Sequence, residues 1–334
     1  MRASGQRHGT DVLVVVTGGT TGWGAAAREL TAALAGAGAR VEMVSTGPSP
    51  RVRTFMLTDL TEAWMARRAT VRAIAAFRPA AIIYCSITAG LLWPRPGAVW
   101  LDAIAAENRP GRHGLWQRLM ERRRLVQAPL ILTMAPNSLV SLRGRPHAET
   151  VEVPVAIESS GPPAAHRDVD VLAYTGDPIK RRLDVILAAW ERARRGDETL
   201  VVAGLESADD IPGVRFAGRL GAQEYRDLLR RCRVFVAAPR REDFGIAALE
   251  ALADGCQLVT TPSPGPYPAL GLARRLDPRL ISEDLAPALR IALDDPAPQY
   301  AARARELLAP FRRSSVQETL SRSVLPRLLP GWNP

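Results

Sequence analysis

Residues 213–265 read GVRFAGRLGAQEYRDLLRRCRVFVAAPRREDFGIAALEALADGCQLVTTPSPG. Three short apolar runs, VRFAG (214–218), VFVAAP (234–239) and QLVTT (257–261), alternate with helical patterns over 222–231 and 245–254. Apolar runs of this length, bounded by glycine and proline, are the signature of strands covered on both faces. Strand–helix alternation with short connections predicts a parallel sheet between two helical layers. Upstream, VDVLAYTG (169–176), a helix from Lys180 to about Arg195 and TLVVAG (199–204) continue the pattern. Downstream, residues 283–329 read mostly as helix.

The first 155 residues repeat the alternation. DVLVVVT (11–17), ARVEMVS (39–45), AAIIYCS (80–86), AVWLD (98–102), PLILTM (129–134) and TVEVP (150–154) read as strands, and RTFMLT (53–58) as a further one. Helices are expected over 25–34, from an N-cap at Thr61 to Phe77, over 113–127 and over 136–143. Residues 156–168 lose periodicity and gain Pro, Gly and Ser, as a linker does. The expected organisation is α/β: a Rossmann-like domain 1–155, a linker 156–168, a second domain 169–312, and a helical tail 313–334 crossing back to the first. Ligands of such sheets collect at the carboxyl ends of the strands.

Composition narrows the class. The chain has 334 residues, 47% hydrophobic and 23% charged, which is ordinary globular usage. Cys85, Cys232 and Cys256 are far apart, with no metal-ligand spacing, so neither a disulfide framework nor a zinc ribbon is expected. The longest apolar stretch, 80–93, is shorter than a membrane span, and residues 12–16 are too short for a signal sequence. A cytoplasmic protein is expected. The net charge of +10 suits nucleic acid, an anionic membrane or an anionic small molecule. Nucleic acid lacks a recognisable module and stacking aromatics here, and none is expected as a partner. Of the 44 basic residues, 43 are Arg; Lys180 is the only lysine. A GC-rich genome that favours Arg codons is the simplest cause of the bias, and the lone lysine raises the question of whether one site needs a compact ammonium.

Thr17-Gly18-Gly19-Thr20-Thr21-Gly22-Trp23-Gly24 fits TGxxxGxG, the cofactor turn of short-chain dehydrogenases, and Glu42 follows at about the spacing of a ribose-binding acid. That class also needs YxxxK, and the residues four after each tyrosine are Thr88, Pro178, Leu229, Gly271 and Ala304. Three readings of the turn remain: glycines that let a helix pack close to the sheet, a backbone surface approached by substrate, or a residual NAD role. On the second, Gly18, Gly19, Gly22 and Trp23 are the candidate substrate contacts.

Within 213–265 the acids Glu242 and Glu250 stand with seven residues between them, in the setting E-x-F-G-x-x-x-x-E-A-x-A-x-G formed by Glu242, Phe244, Gly245, Glu250, Ala251, Ala253 and Gly255. This register resembles the family 4 glycosyltransferases of the GT-B fold, in which two Rossmann-like domains face across a cleft. The preceding proline is one residue closer than usual, at Pro239. The resemblance is specific over about 169–262 and only architectural before that. It implies a retaining, metal-independent transfer of a hexose-type sugar from a nucleoside-diphosphate sugar to a hydroxyl acceptor, with no cofactor. Gly245 would open a helix whose first amides and dipole face the diphosphate, with Phe244 and Ile246 on either side. Glu242 would accept hydrogen bonds from sugar hydroxyls and Glu250 from the ribose. Taken singly, Glu242 could instead complement the helix dipole and Glu250 could be an exposed helical residue.

YTGDPIKRRLDVILAAW (174–190) is similar to the family segment in which an arginine and a lysine neutralise the donor phosphates. Lys180 matches that lysine, its alternative being a solvated residue at a helix start. The arginine position is Asp177, and Arg181 replaces the usual glycine, so Arg181 or Arg182 would supply the second charge. On the acceptor side, Asp102 could orient a hydroxyl or simply end a turn, and His113 is a weaker candidate. The helix 115–130, with Leu115, Leu119, Met120 and Val126 beside Arg122, Arg123 and Arg124, suits transient contact with an anionic membrane or a solvated basic face. Asp168-Val169-Asp170 is a literal DxD at the amino end of a strand, away from the expected cleft, and no metal site is read there. The rival functions are a non-catalytic nucleotide-sugar binder with a degenerate site, a GT-B epimerase, and a basic nucleic-acid binder.

Overall fold

The computed structural model describes residues 9–19, 21–48, 55–109, 111–142, 148–162, 164, 166–207 and 209–332. They divide into two compact units, residues 1–156 with 313–334, and residues 157–312.

In the first unit the elements run β1 (Val12–Val16), α1 (Thr21–Gly36), β2 (Val41–Ser45), α2 (Phe55–Phe77), β3 (Ala81–Cys85), α3 (Ile87–Gly90), β4 (Ala98–Leu101), α4 (Ala105–Asn108), α5 (Leu115–Gln127), β5 (Leu130–Thr133) and β6 (Glu149–Glu152). The six strands form one parallel sheet in the order β2-β1-β3-β4-β5-β6. β1, β3, β4 and β5 are buried along their whole length, as the unbroken apolar runs require. Each such Val, Ile or Leu contributes roughly 1.5–3 kcal/mol.

The sequence reading needs correction in four places. Residues 55–58 open α2 and are not strand; residues 53 and 54 lie outside the described residues. Thr61 does not cap that helix but sits inside it, its hydroxyl donating to the Leu57 carbonyl at 2.8 Å. The buried line of α2 is Asp59, Ala63, Ala66, Thr70 and Ala73, so the helical period begins before Thr61 and passes through an acid. Residues 21–24 belong to α1 rather than to a turn. Residues 136–142 form turns instead of a helix, and residues 178–182 form a turn that delays the next helix to Leu183.

The second unit runs β7 (Val169–Tyr174), α6 (Leu183–Ala193), β8 (Leu200–Ala203), β9 (Val214–Gly218), α7 (Ala222–Arg231), β10 (Cys232–Ala237), α8 (Ile246–Ala253), β11 (Gln257–Thr260), α9 (Pro268–Leu276), α10 (Leu285–Asp294) and α11 (Tyr300–Leu307). Its parallel sheet has the order β11-β10-β7-β8-β9, so the central β7 lies beside β10 although α6, β8, β9 and α7 come between them in the chain. Residues 157–168 are integral to this unit: the Ile157 amide donates to Phe311 at 2.8 Å, and the Ser160 amide to Asp254 at 2.7 Å. The tail, α12 (Arg313–Thr319), a π-helical turn Leu320–Val324 and α13 (Leu325–Leu328), packs on the first unit. Arg313 pairs with Glu29 of α1 at 2.7 Å, and Leu320, Val324 and Leu325 are fully buried.

Candidate active site

In the second unit, the loops leaving the carboxyl ends of β7, β10 and β11 are stitched together. Asp177 ends the β7 loop by capping its turn: the Lys180 amide donates to Oδ1 at 3.0 Å and the Arg181 amide to the Asp177 carbonyl at 3.0 Å. An arginine there could not make this cap. The Arg240 amide then donates to the Lys180 carbonyl at 2.9 Å, and its guanidinium to the Ile179 carbonyl at 3.0 Å. Arg182 is left-handed (φ 46°) and spends its guanidinium on structure, donating to the Ala238 carbonyl at 2.8 Å and to Thr261 Oγ1 at 2.9 Å.

Arg181 has a different environment. Its guanidinium makes an ion pair with Glu242 on the β10 loop. A small cavity there is lined by Tyr174, Arg181, Phe235, Ala237, Glu242 and Tyr267. Burial raises the Glu242 carboxyl above its ordinary range, and the Arg181 charge opposes that rise. Glu242 is held from behind as well: its amide donates to the Pro264 carbonyl at 3.0 Å. A Cβ at Gly265 (φ 109°) would lie 2.2 Å from the Glu242 carbonyl oxygen, so only glycine lets the β11 loop pass.

Gly245 (φ 81°) precedes α8 without a side-chain cap, and a Cβ there would strike the Tyr267 ring at 2.8 Å. The first amides of α8, from Ile246, therefore open at the loop that carries Glu242, and give it the positive end of a helix. Phe244 is buried against Phe311, with ring centroids 6.1 Å apart, so it anchors the loop. Glu250, on the same helix, pairs with Arg226 of α7 at 3.0 Å. Tyr225, next to Arg226, stacks edge-on against Tyr174 with centroids 5.7 Å apart. The Tyr225 hydroxyl is buried without a hydrogen-bond partner.

The structure thus brings Arg181, Glu242 and the start of α8 together, with Glu250 further along that helix. The Lys180 side chain is 75% exposed and, among the described residues, its ion-pair partner is Asp177, at 4.0 Å. Asp168 and Asp170 at the amino end of β7 are paired with Arg231 and Arg233. No group of three or more potential metal ligands occurs among the described residues.

In the first unit, the Gly18 amide donates to Thr46 Oγ1 at 2.9 Å, and a Cβ on Gly18 would lie 2.2 Å from the Thr46 carbonyl oxygen. Close passage of the β1 and β2 ends is reason enough for this glycine. A Cβ on Gly19 would meet only the end of the Glu62 side chain, and Gly22 on α1 has open space around it. Trp23 stands edge-on to the buried Trp100, centroids 5.9 Å apart. Asp102 Oδ1 accepts from the Ala103 amide at 2.8 Å, as a turn residue does. His113 lies in a single 3₁₀ turn, Arg112–Gly114, before α5.

Two groups were not legible from the sequence. Arg226 is one of 43 arginines, and nothing in its spacing marks it as the partner of Glu250. Glu121 of α5 is 2% exposed and accepts the Ala105 amide with both oxygens, at 3.0 and 2.8 Å; burial pushes its pKa up to about 7. Arg124, read with Arg122 and Arg123 as one basic cluster, turns inward instead. It donates to the Leu91 carbonyl at 2.8 Å and lies over the Trp93 ring.

Comparison with known proteins places this geometry. Residues 170–310 match the family model described as glycosyl transferases group 1. A phosphatidyl-myo-inositol mannosyltransferase of Propionibacterium freudenreichii subsp. shermanii is 37% identical over 86 residues, which is 25% of this chain and 23% of that protein. The match therefore spans about a quarter of the curated relative. Sucrose-phosphate synthase of Thermosynechococcus elongatus superposes with a TM-score of 0.70 at 17% identity, over 93% of this chain and 98% of that one. WaaG, a glycosyltransferase involved in lipopolysaccharide biosynthesis, gives 0.68 at 13% identity, over 96% and 100%. Anabaena HepE in complex with UDP and glucose gives 0.70 at 13% identity, over 94% and 99%. Residues 170–310 are thus similar to the group 1 glycosyl transferases, and the chain as a whole has the α/β fold of the GT-B glycosyltransferases.

Proposed function

We propose that this protein transfers a hexose-type sugar from a nucleoside-diphosphate sugar to a hydroxyl acceptor, with retention of configuration and without a metal ion. The observation that carries the reading is the Arg181–Glu242 pair beside the uncapped start of α8, within residues 170–310. A guanidinium and a helix N-terminus suit a diphosphate, and a carboxylate beside them suits sugar hydroxyls. The UDP and glucose bound by HepE and the mannosyl transfer named for the P. freudenreichii relative support a nucleotide-sugar donor.

In this reading Arg181 takes the role of the family arginine missing at Asp177, since Arg182 is committed to Ala238 and Thr261. Lys180, long and exposed, folds onto the diphosphate when it arrives. Together with the Gly245 and Ile246 amides, these cations stabilise the charge that grows on the leaving phosphate as the glycosidic bond breaks. Glu242 orients the sugar, Glu250 accepts from the ribose hydroxyls, and Phe244 keeps the Gly245 loop in place. The leaving phosphate takes the proton of the incoming hydroxyl on the same face. Asp102, Trp23 and His113, with the Gly18, Gly19 and Gly22 backbone, are the proposed contacts contributed by the first unit.

The protein acts in the cytoplasm, in transient contact with an anionic membrane. On α2, Met56, Leu57, Leu60, Trp64 and Val71 are exposed at helical spacing beside the exposed Arg67 and Arg68, and on α5 Leu115, Leu119 and Val126 are exposed beside Arg122 and Arg123. Apolar stripes flanked by arginines suit anionic lipid. No described helix is long and apolar enough to cross a membrane.

The test is a thermal-shift panel of UDP-, GDP-, ADP- and dTDP-sugars in EDTA, on wild type and Lys180→Ala. One nucleotide class should stabilise wild type and lose most of that effect in the variant. Transfer is then read by following the anomeric configuration of the product. Donor binding without transfer to any hydroxyl acceptor would make the protein a binder, and inverted product would refute retention.

A further inference from the structure

Beyond the residues that touch the donor in the proposed reading, one buried arginine controls how Glu250 is presented. Arg226 of α7 has a side chain only 14% exposed, and its guanidinium is shared three ways. One terminal nitrogen meets Glu250 Oε1 at 3.0 Å, Nε meets Asp254 Oδ2 at 2.9 Å, and the other terminal nitrogen donates to the Glu158 carbonyl at 2.6 Å. Asp254 is itself fixed, accepting from the Ser160 amide at 2.7 Å and the Ser160 hydroxyl at 3.0 Å. The fork is therefore clamped by Asp254 and Glu158, and Glu250 is the partner with access to solvent, its side chain 25% exposed.

A glutamate on a helix surface has three rotatable bonds, and freezing them costs conformational entropy. A carboxylate that must meet two vicinal hydroxyls at once needs a set plane and direction. A planar guanidinium, rigidly held, supplies this by fixing Oε1 before the ligand arrives. A lysine could hold one of the two carboxylates but could not span both.

We propose that Arg226 is a positioning residue that sets the Glu250 carboxylate for the vicinal ribose diol of the donor nucleotide. The proposal rests on the reading of Glu250 as the ribose acceptor, and its test separates the two. Arg226 does not touch the donor; Asp254 and the 158–160 segment act only through it.

The experiment is calorimetric titration of UDP, GDP and ADP and their 2′-deoxy forms into the full chain, so it needs no knowledge of the acceptor. Wild type should prefer the ribonucleotide of its own base by about tenfold, the worth of roughly one good charged hydrogen bond. Glu250→Gln should lose most of that preference. Arg226→Met should reduce it below about threefold while leaving the 2′-deoxy form bound as in wild type, and Arg226→Lys should restore part of it. Because Asp254 would be left buried without its cation, Arg226→Met is also made together with Asp254→Asn. Asp254→Asn alone loosens one of the two holds on Arg226 and leaves the Glu158 carbonyl in place; it should lower the melting temperature and cost less of the ribose preference than Arg226→Met. Discrimination in wild type that Glu250→Gln abolishes and Arg226→Met leaves intact would overturn the positioning role alone. A loss in Asp254→Asn equal to that in Arg226→Met would reduce Arg226 to a general stabiliser. Failure of wild type to discriminate, or to bind any of the three nucleotides, would overturn the reading of Glu250 and the proposal with it.

Discussion

Replacing Arg181 by methionine tests the centre of the site in one step. The substitution keeps an unbranched apolar stem and removes the cation facing Glu242, whose side chain is 14% exposed. Breaking a fully buried ion pair by removing one partner costs about 3–5 kcal/mol, because the other charge is left uncompensated. Arg181 keeps 31% of its side-chain exposure, so water screens part of the attraction and about 1.5–3 kcal/mol is the expected loss. The pH dependence has a definite sign. Burial already raises the Glu242 carboxyl in the folded protein, and loss of Arg181 raises it further above its unfolded value. A carboxyl so raised binds its proton more tightly when folded. Its contribution is most favourable below the unfolded pKa and is lost as pH rises through the folded one. Urea unfolding should therefore show the full deficit at about pH 8 and most of it gone at about pH 4.5. Adding Glu242→Gln should recover most of the loss at the higher pH. A deficit equal at both pH values, or no recovery in the double variant, would refute the ion-pair reasoning and point to lost packing instead.

Other measurements follow from separate parts of the molecule. Glu121→Gln should flatten the stability–pH profile: the shift of the wild-type carboxyl from 4.5 to about 7 makes wild type lose about 3 kcal/mol as pH rises through that window, and the glutamine can still accept the Ala105 amide. Parallel unfolding curves for the two proteins from about pH 5 to about pH 7.5 would contradict this. Gly265→Ala should cost about 2–3 kcal/mol in chemical denaturation, since its Cβ would sit 2.2 Å from the Glu242 carbonyl oxygen at a φ of 109°; a neutral result would mean that the β11 loop moves freely. Trp64→Glu should reduce co-sedimentation with vesicles rich in anionic lipid by about tenfold without changing the melting temperature. Equal binding by the variant would take α2 out of the membrane contact.

The legibility of this fold follows from how each strand is buried. VLVVV (12–16) and LVVA (200–203) are enclosed on both faces, so their sequences carry no polar alternation and read as parallel strands without ambiguity. The start of α2 was hidden because its buried line includes Asp59, and an acid there reads as a break. Its partner is Arg109, at 3.0 Å and fifty residues away, and such a distant pairing leaves no local trace. The register of Glu242, Gly245 and Glu250 is local, fixed by one loop and one helix, and was therefore readable. The division of labour between Arg181 and Arg182 was not. It depends on a left-handed residue at 182, which turns the two neighbouring side chains to different partners, and an arginine gives no sequence sign of that conformation. Arg226 and Glu121 were missed for the related reason that each acts across a helix–helix or helix–loop boundary.

The division of the chain at 156/157 and 312/313 bears on how the protein is made. The second unit is one continuous segment, while the first waits for the helices after residue 312, which are made only once the whole second unit has been synthesised. Arg313 meets Glu29 across 284 positions of sequence, and Leu320, Val324 and Leu325 fill a core begun some three hundred residues earlier. The usual order of synthesis, amino-terminal domain first, is thereby reversed. The carboxyl-terminal unit is complete as a folding unit while the amino-terminal one still exposes the face of α1 that the tail covers. A chain broken off shortly after residue 312 would carry an intact second unit and an unfinished first. Quality control by chaperones and proteases is thus expected to act on the amino-terminal half.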